Sequence, residues 1–107
     1  FQAVPAPPPG RTSDAAAVSG AALLALLRRG GLVIYLRHTA TDFSRDDSRA
    51  RDDDDCDNQR PLTARGRDEA RAIGDAMRAL GIPVGRVLAS PRCRTVETAR
   101  LAFADAE

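Results

Sequence analysis

Hydrophobic and polar positions along the chain predict helices and strands in alternating order. The clearest strand is the continuous apolar run 32–36, which is rich in β-branched and aromatic residues and follows Gly30 and Gly31. Such a run is typical of a buried, parallel strand in the centre of a sheet. It ends at Arg37 and His38, the only histidine in the sequence. Ligands of open α/β sheets bind beyond the carboxyl ends of the strands, so we expect chemistry at these two residues.

The first helix is predicted over residues 13–29. Ser13 and Ser19 are both candidates for its N-cap, and Gly30 suits the left-handed conformation that often closes a helix. The two arginines before Gly30 suit the negative end of the helix dipole.

The second helix is predicted to begin after an N-cap at Thr63 and to end at Gly81. Its apolar face has four members at helical spacing: Ala70, Ile73, Met77 and Leu80. The weaker apolar run 84–89 predicts a second strand, and Ser90 followed by Pro91 predicts the start of a third helix. This order of elements favours a parallel α/β sheet with right-handed crossovers.

A long polar loop, residues 39–61, separates the first strand from the second helix. A loop of this length in a small domain is either functional or poorly ordered. It carries the acidic run 52–55, followed by Cys56 and Asp57. The glycine and the alternating spacing of an EF-hand loop are missing, so a solvated acidic loop is favoured over a calcium site.

Composition excludes several classes of function. With 107 residues, the chain forms at most one domain with a limited core. A net charge of +1 and an aromatic content of 4% give no indication of a nucleic-acid or membrane partner. The longest apolar helical run, 21–27, is much shorter than the roughly 20 residues that cross a bilayer.

Two cysteines, Cys56 and Cys93, allow either one disulfide or a pair of free thiols, and their spacing leaves both open. Segment 1–12 has the composition of a proline-rich linker, and we expect the ordered unit to span 13–107. A start at Phe1 followed by this spacer suggests a periplasmic or secreted protein after removal of a signal peptide; the alternative is a cytoplasmic protein.

Three local features are predicted to meet at one edge of the sheet. Arg37 and His38 end the first strand, Arg94 lies in the first turn of the third helix, and the amides of that turn favour anions. Two guanidinium groups can hold phosphate oxygens, and an imidazole between them can attack phosphorus. These residues alone indicate a crevice for phosphate or carboxylate.

Three segments resemble motifs of the histidine phosphatase superfamily, which has the phosphoglycerate mutase-like fold. The Arg-His-Gly-Glu-Thr motif after a strand is similar to Arg-His-Thr-Ala-Thr at 37–41. The Leu-Thr-x-x-Gly-x-x-Gln-Ala motif is similar to residues 62–70, and the Ser-x-x-x-Arg-x-x-x-Thr-Ala motif to residues 90–99. The motifs occur in the family's order, and the resemblance extends from about residue 21 to 107.

The resemblance implies a three-layer αβα sandwich with a mainly parallel sheet, incomplete in this chain. It implies hydrolysis of a phosphomonoester through a phosphohistidine on His38, with Arg37 and Arg94 binding the phosphate. Thr41 and Ser44 are implied as substrate contacts. The implied partner is a small phosphorylated substrate or inorganic phosphate, and no metal or organic cofactor is implied.

The chain departs from the family pattern in several places. Thr39 stands where the family has glycine, and no second histidine is present. Asp42 and Glu97 are the only acids near enough to act as proton donor, and Glu97 is better explained as the ion-pair partner of an arginine. We therefore expect residues 13–107 to be the N-terminal part of a longer domain. The alternatives are a non-catalytic module that binds phosphate or phosphopeptide, and an inactive fragment.

Overall fold

The computed structural model describes residues 2–5 and 17–104. Strand β1 spans Gln2–Pro5 and strand β2 spans Leu32–Tyr35, while helices α1, α2 and α3 span Gly20–Arg29, Ala64–Ala79 and Cys93–Phe103. A single 3₁₀ turn, Cys56–Asn58, lies in the loop between β2 and α2. Within the described ranges, no helix combines the length and the apolar character that crossing a membrane requires.

The described strands form one antiparallel pair. β1 runs against β2, with Gln2 opposite Tyr35 and Pro5 opposite Leu32. Residues 2–5 lie inside segment 1–12, which was predicted to be a linker; the rest of that segment lies outside the described residues. The pairing differs from the predicted parallel sheet, because the neighbour of β2 comes from a part of the chain that was not expected to form a strand.

The prediction of a second strand over residues 84–89 is wrong for the described structure. This segment has no regular secondary structure, and Val84 and Leu88 are exposed. A strand requires a neighbour to bond its amides and carbonyls, and no described strand pairs with this segment. An apolar run indicates a tendency to form a strand, but it does not show whether a neighbouring strand is present to pair with it.

Strand β2 is covered on one face only, which corrects the prediction of a fully buried strand. Leu32 and Ile34 pack against the core, whereas Val33 and Tyr35 are 64% and 82% exposed. Alternate residues of a strand point to opposite faces, so this pattern shows that the described helices cover only one of them.

Helix α1 is shorter than predicted at its N-terminal end. Residues 17–19 are not helical, and Ser19 is extended at the N-cap position without a capping bond from its side chain. Ser13, the other predicted cap, lies outside the described residues. The predicted C-cap is confirmed: Gly30 has φ of 74°, and its N–H donates to the Leu27 carbonyl.

Helix α2 begins as the sequence predicts. The Thr63 hydroxyl accepts the Gly66 N–H at 2.9 Å, which satisfies one of the unpaired amides of the first turn. Gly81, with φ of 69°, follows the end of the helix. On the predicted apolar face, Ala70 and Met77 are buried but Leu80 is exposed.

The core lies where α1, α2, α3 and β2 meet. Its buried members are Leu27, Met77 and Ile82, and the apolar side chains packed around them are Leu23, Leu24, Leu32, Ile34, Ile73 and Phe103. Helix α2 crosses α3 at Gly74, where an added Cβ would overlap the carbonyl oxygen of Ala102. The Arg78 guanidinium donates to the same carbonyl at 3.2 Å. Only glycine allows the two backbones to approach this closely.

Gly74→Ala should destabilise the fold by about 1–3 kcal/mol, because the new methyl group forces α2 away from α3. Urea unfolding followed by circular dichroism measures the loss. Gly85→Ala is the matched control, because a Cβ at that position meets nothing within 4 Å. Equal midpoints for the two variants would contradict this account of the helix crossing.

Candidate active site

The segment after β2 presents an arginine and a histidine. Arg37 is exposed, and none of the described residues bonds to its guanidinium. His38 is half-buried, with its Nδ1 2.9 Å from the carbonyl oxygen of Thr39. A carbonyl oxygen can only accept a hydrogen bond, so Nδ1 carries the hydrogen in this contact. In the neutral ring, Nε2 is then the nitrogen with the lone pair.

Thr39 is a buried hub that links this segment to both α2 and α3. Its hydroxyl donates to the Gly66 carbonyl at 2.7 Å. Its backbone N–H donates to the Thr98 hydroxyl at 3.4 Å, and that hydroxyl donates to the Arg94 carbonyl at 2.7 Å. The residue next to His38 is thereby connected to the first turn of α3, which carries Arg94.

Gly66, the glycine of the motif at 62–70, is required by close packing of two backbone segments. The Ala40 carbonyl accepts from the N–H of Thr63 at 3.0 Å and from its hydroxyl at 3.3 Å. An added Cβ at Gly66 would overlap that same carbonyl oxygen. Gly66 therefore lets the first turn of α2 contact the backbone just beyond His38.

The two predicted substrate contacts already have partners in the protein. Thr41 is buried, and its backbone forms an antiparallel bridge with Leu62. Ser44 is exposed, and both its N–H and its hydroxyl donate to Oδ1 of Asp42, at 3.0 and 2.6 Å. The hydroxyl bond above all, together with the amide bond, lowers the pKa of Asp42. A carboxyl held in its charged form is a poor proton donor.

Arg94 lies mostly buried in the first turn of α3 and pairs with Asp47. Its Nη1 is 2.9 Å from Oδ2 and 3.1 Å from Oδ1 of that carboxylate. Oδ1 also accepts the backbone N–H of Arg60 at 2.7 Å. The Arg60 amide, followed by the Arg94 side chain, lowers the pKa of Asp47 despite the opposing effect of partial burial.

Helix α3 starts later than predicted. Its first residue is Cys93, rather than the residue after a Ser90 cap. The Cys93 N–H donates to Oε1 of Gln59 at 2.9 Å. A side chain from the loop between β2 and α2 thus fills the role that the sequence assigned to Ser90, satisfying an amide that has no partner within the helix.

Gln59 is 1% exposed and bonds at both ends of its amide. While Oε1 accepts from α3, Nε2 donates to the carbonyls of Asp52 and Asp53, at 3.3 and 3.0 Å. The acidic run of the loop is therefore held against the start of α3 by one buried side chain.

A disulfide joins the loop to the same helix end. Cys56 and Cys93 are bonded, with their Cα atoms 5.7 Å apart and a sequence separation of 37. Of the two states that the sequence left open, the structure has the bridge. It attaches the 3₁₀ turn of the loop to the first residue of α3.

The remaining acidic residues are mostly engaged in local turns. Oδ1 of Asp46 and Oδ1 of Asp52 each accept the N–H two residues ahead at 3.0 Å, as in Asx turns. In the described part of the chain, no group of His, Cys, Asp and Glu is arranged to hold a metal ion. Glu97, considered as a proton donor, instead pairs with Arg67 at 2.5 Å.

One family model matches most of the chain. The family model of the histidine phosphatase superfamily (branch 1) matches residues 33–107. The chain therefore belongs to the histidine phosphatase superfamily, whose members have an α/β fold and bind phosphorylated substrates. No curated protein and no solved structure gives a significant match.

Two residues that shape the site were not singled out from sequence. Asp47 is one of many aspartates in its loop, and no local pattern distinguishes it. Gln59 is a polar residue in a polar loop, and its only signal is that it precedes the motif at 62–70. Both act on partners more than 30 residues away, at Cys93 and Arg94.

Replacing Thr39 with Val should lower the free energy of unfolding by about 1 kcal/mol, because the shape is kept but the bond to Gly66 is lost. Thr95→Val is the matched control, since no described residue bonds to the Thr95 hydroxyl. Denaturant midpoints compare the two. The role of Thr39 as a hub would be wrong if both substitutions had the same effect.

Replacing Gln59 with Glu should cost about 1–3 kcal/mol at neutral pH, because a carboxylate cannot donate to the carbonyls of Asp52 and Asp53. Burial raises the pKa of the new carboxyl in the folded state, so folding favours its protonated form. The deficit relative to the unsubstituted protein should therefore shrink as the pH falls and grow as it rises. Unfolding curves of both proteins at matched pH values measure this, and a deficit independent of pH would contradict it.

Proposed function

We propose that the protein is a phosphatase that acts through a phosphohistidine intermediate on His38. The observation that carries the proposal is the hydrogen bond from Nδ1 of His38 to the Thr39 carbonyl. It sets the tautomer in which Nε2 is available as a nucleophile. Membership of the superfamily supports phosphatase chemistry in general.

Arg37 and Arg94 would hold the phosphoryl oxygens. Arg37 is exposed and has no bond to a described residue, so its donors are available to a ligand. Arg94 sits at the N-terminal end of α3, where the helix dipole also favours an anion. Positive groups fixed around the phosphoryl group stabilise the charge that spreads over its oxygens during transfer. Thr41 and Ser44, named as substrate contacts from sequence, remain proposals.

The reaction would proceed in two steps. Nε2 of His38 attacks phosphorus, an N–P bond forms as the bond to the leaving oxygen breaks, and that oxygen takes up a proton. Water then attacks the phosphohistidine, the N–P bond breaks, and inorganic phosphate leaves. The substrate is a small phosphomonoester, and neither step uses a metal or an organic cofactor.

A second candidate is a module that binds phosphate without catalysis. One observation favours it: both carboxylates considered as proton donors are already bonded to other side chains. Asp42 is held by Ser44, and Glu97 pairs with Arg67. An alkoxide leaving group needs a proton, so these two carboxylates serve it poorly.

We also propose the complete arrangement of the family, a three-layer αβα sandwich with a mainly parallel sheet, for the unit that includes residues 13–107. An oxidising compartment, periplasmic or extracellular, is supported by the Cys56–Cys93 bridge, since such bonds persist there and are rare in the cytosol.

The test uses p-nitrophenyl phosphate, whose leaving group departs without a proton donor. After incubation and quenching, mass spectrometry should find one phosphoryl group on the peptide that contains His38. The adduct should be stable in base and lost in acid, and His38→Gln should eliminate it. An undiminished adduct in that variant would exclude His38 as the nucleophile.

Matched arginine variants test the phosphate contact. Arg37→Ala should reduce the affinity for inorganic phosphate, whereas Arg49→Ala should not; Arg49 is exposed, and its only described interaction is electrostatic, with Asp46. Turnover of p-nitrophenyl phosphate but not of an alkyl phosphate would indicate a nucleophile without its acid. Phosphate binding without any adduct would favour the non-catalytic module.

A further inference from the structure

The contact between Asp47 and Arg94 has an uneven geometry. Both carboxylate oxygens of Asp47 bond to a single nitrogen, Nη1, at 2.9 and 3.1 Å. Among the described residues, none bonds to Nη2 or Nε of Arg94. A guanidinium carries five N–H donors in a fixed plane. Here the carboxylate bonds only to the donors on Nη1.

The unoccupied edge of Arg94 has the geometry that phosphate recognition uses. Nε and Nη2 present parallel N–H bonds, and such a pair matches two oxygens of a phosphoryl group. A carboxylate that bridged Nη1 and Nη2 would have blocked part of this edge. The contact at Nη1 alone fixes the plane of the guanidinium and leaves the Nε–Nη2 edge available.

Asp47 is itself held in place. Its Oδ1 accepts the backbone N–H of Arg60 at 2.7 Å. The neighbouring Gln59 is bonded to the start of α3, and Cys56 is joined to Cys93 by the disulfide. The carboxylate therefore belongs to a segment fixed at several points, unlike a mobile side chain that an incoming anion would displace.

Charge supports the same assignment. The side chains of Arg94 and Asp47 are 14% and 27% exposed, so the ion pair is largely removed from water. The bond from the Arg60 amide, together with Arg94, keeps the pKa of Asp47 low, so the carboxylate stays charged at neutral pH. A persistent charge holds the guanidinium more firmly than a neutral acceptor would.

We propose that Asp47 is a positioning residue, which fixes the guanidinium of Arg94 through Nη1 so that its Nε–Nη2 edge faces the phosphoryl group of the substrate. The inference rests on the proposed phosphate-binding role of Arg94. It assigns Asp47 no direct contact with the substrate. The competing role, a carboxylate that occupies the anion site and must leave before phosphate binds, makes the opposite prediction for affinity.

Titration with inorganic phosphate, followed by NMR of backbone amides, tests the proposal on the disulfide-bonded chain. Asp47→Ala should weaken binding by about tenfold, which corresponds to one lost charge-assisted contact. Asp47→Asn keeps an acceptor for both Arg60 and Arg94 and should restore most of the affinity. Asp46→Ala is the matched control and should leave affinity unchanged, because Ser48 is the only described residue that hydrogen-bonds to the Asp46 carboxylate.

The Nε–H signal of Arg94 gives a readout that does not depend on phosphate. Asp47→Ala should abolish the ordered signal of this group in the heteronuclear NOE, whereas Asp47→Asn should retain it. In an Arg94→Ala background, Asp47→Ala should cause no further loss of phosphate affinity. A merely structural role for Asp47 would weaken binding in that background too.

The outcomes separate the two proposals. Failure of the unsubstituted chain to bind phosphate would overturn the proposed function and this inference together. Normal binding in Asp47→Ala would overturn the inference alone, and tighter binding would show that Asp47 competes with phosphate. Circular dichroism checks that each variant is folded. Should Asp47→Ala fail to fold, Asp47→Asn decides: phosphate binding tighter than in the unsubstituted chain would show competition, whereas near-normal or weaker binding with an ordered Nε–H signal of Arg94 would support positioning.

Discussion

The start of α3 depends on a side chain that comes from outside the helix. The Cys93 amide finds its acceptor in Gln59, 34 residues earlier in the chain, and the disulfide from Cys56 ends at the same residue. A helix N-terminus needs partners for its first amides, and here the long loop supplies one. Since Arg94 is the next residue, its place in the site is set by the loop as much as by the helix. The loop that the sequence predicted to be a solvated acidic loop therefore also supports the start of α3.

A second constraint is the close approach of backbones on the other side of the site. Gly66 brings the first turn of α2 against the Ala40 carbonyl, and the Thr39 hydroxyl bonds to the carbonyl of the same glycine. The family has glycine at the position of Thr39, so this chain adds a hydroxyl that cross-links the segment to α2. The backbone N–H of Thr39, which a glycine would also supply, donates to the Thr98 hydroxyl of α3. The backbone that carries His38 is thus tied to both helices, which suits its proposed role as a nucleophile.

Sequence predicted the features whose signal lies within a few residues. Thr63 caps α2 through a bond to the amide three residues ahead, and Gly30 closes α1 through its own backbone conformation. It failed where the deciding partner is distant. Ser90 had the composition of a cap, but Gln59 took the role, and segment 84–89 had the composition of a strand without a described neighbour. The candidate site follows the same division: motifs predict His38 and Arg94 as site residues, whereas the bond between Asp47 and Arg94 is not visible in sequence.

If Arg94 binds phosphate as proposed, its largely buried position imposes two opposed requirements. Without phosphate, a guanidinium that is 14% exposed needs a counter-charge, because an unpaired charge removed from water is strongly unfavourable. When phosphate binds, the same guanidinium must present an edge that no other group occupies. A carboxylate bonded to the Nε–Nη2 edge would supply the counter-charge but would also block the donors that phosphate needs. Asp47 contacts Nη1 alone, so it pairs the cation while no described residue bonds to the Nε–Nη2 edge, and one residue thus meets both requirements of the proposed role.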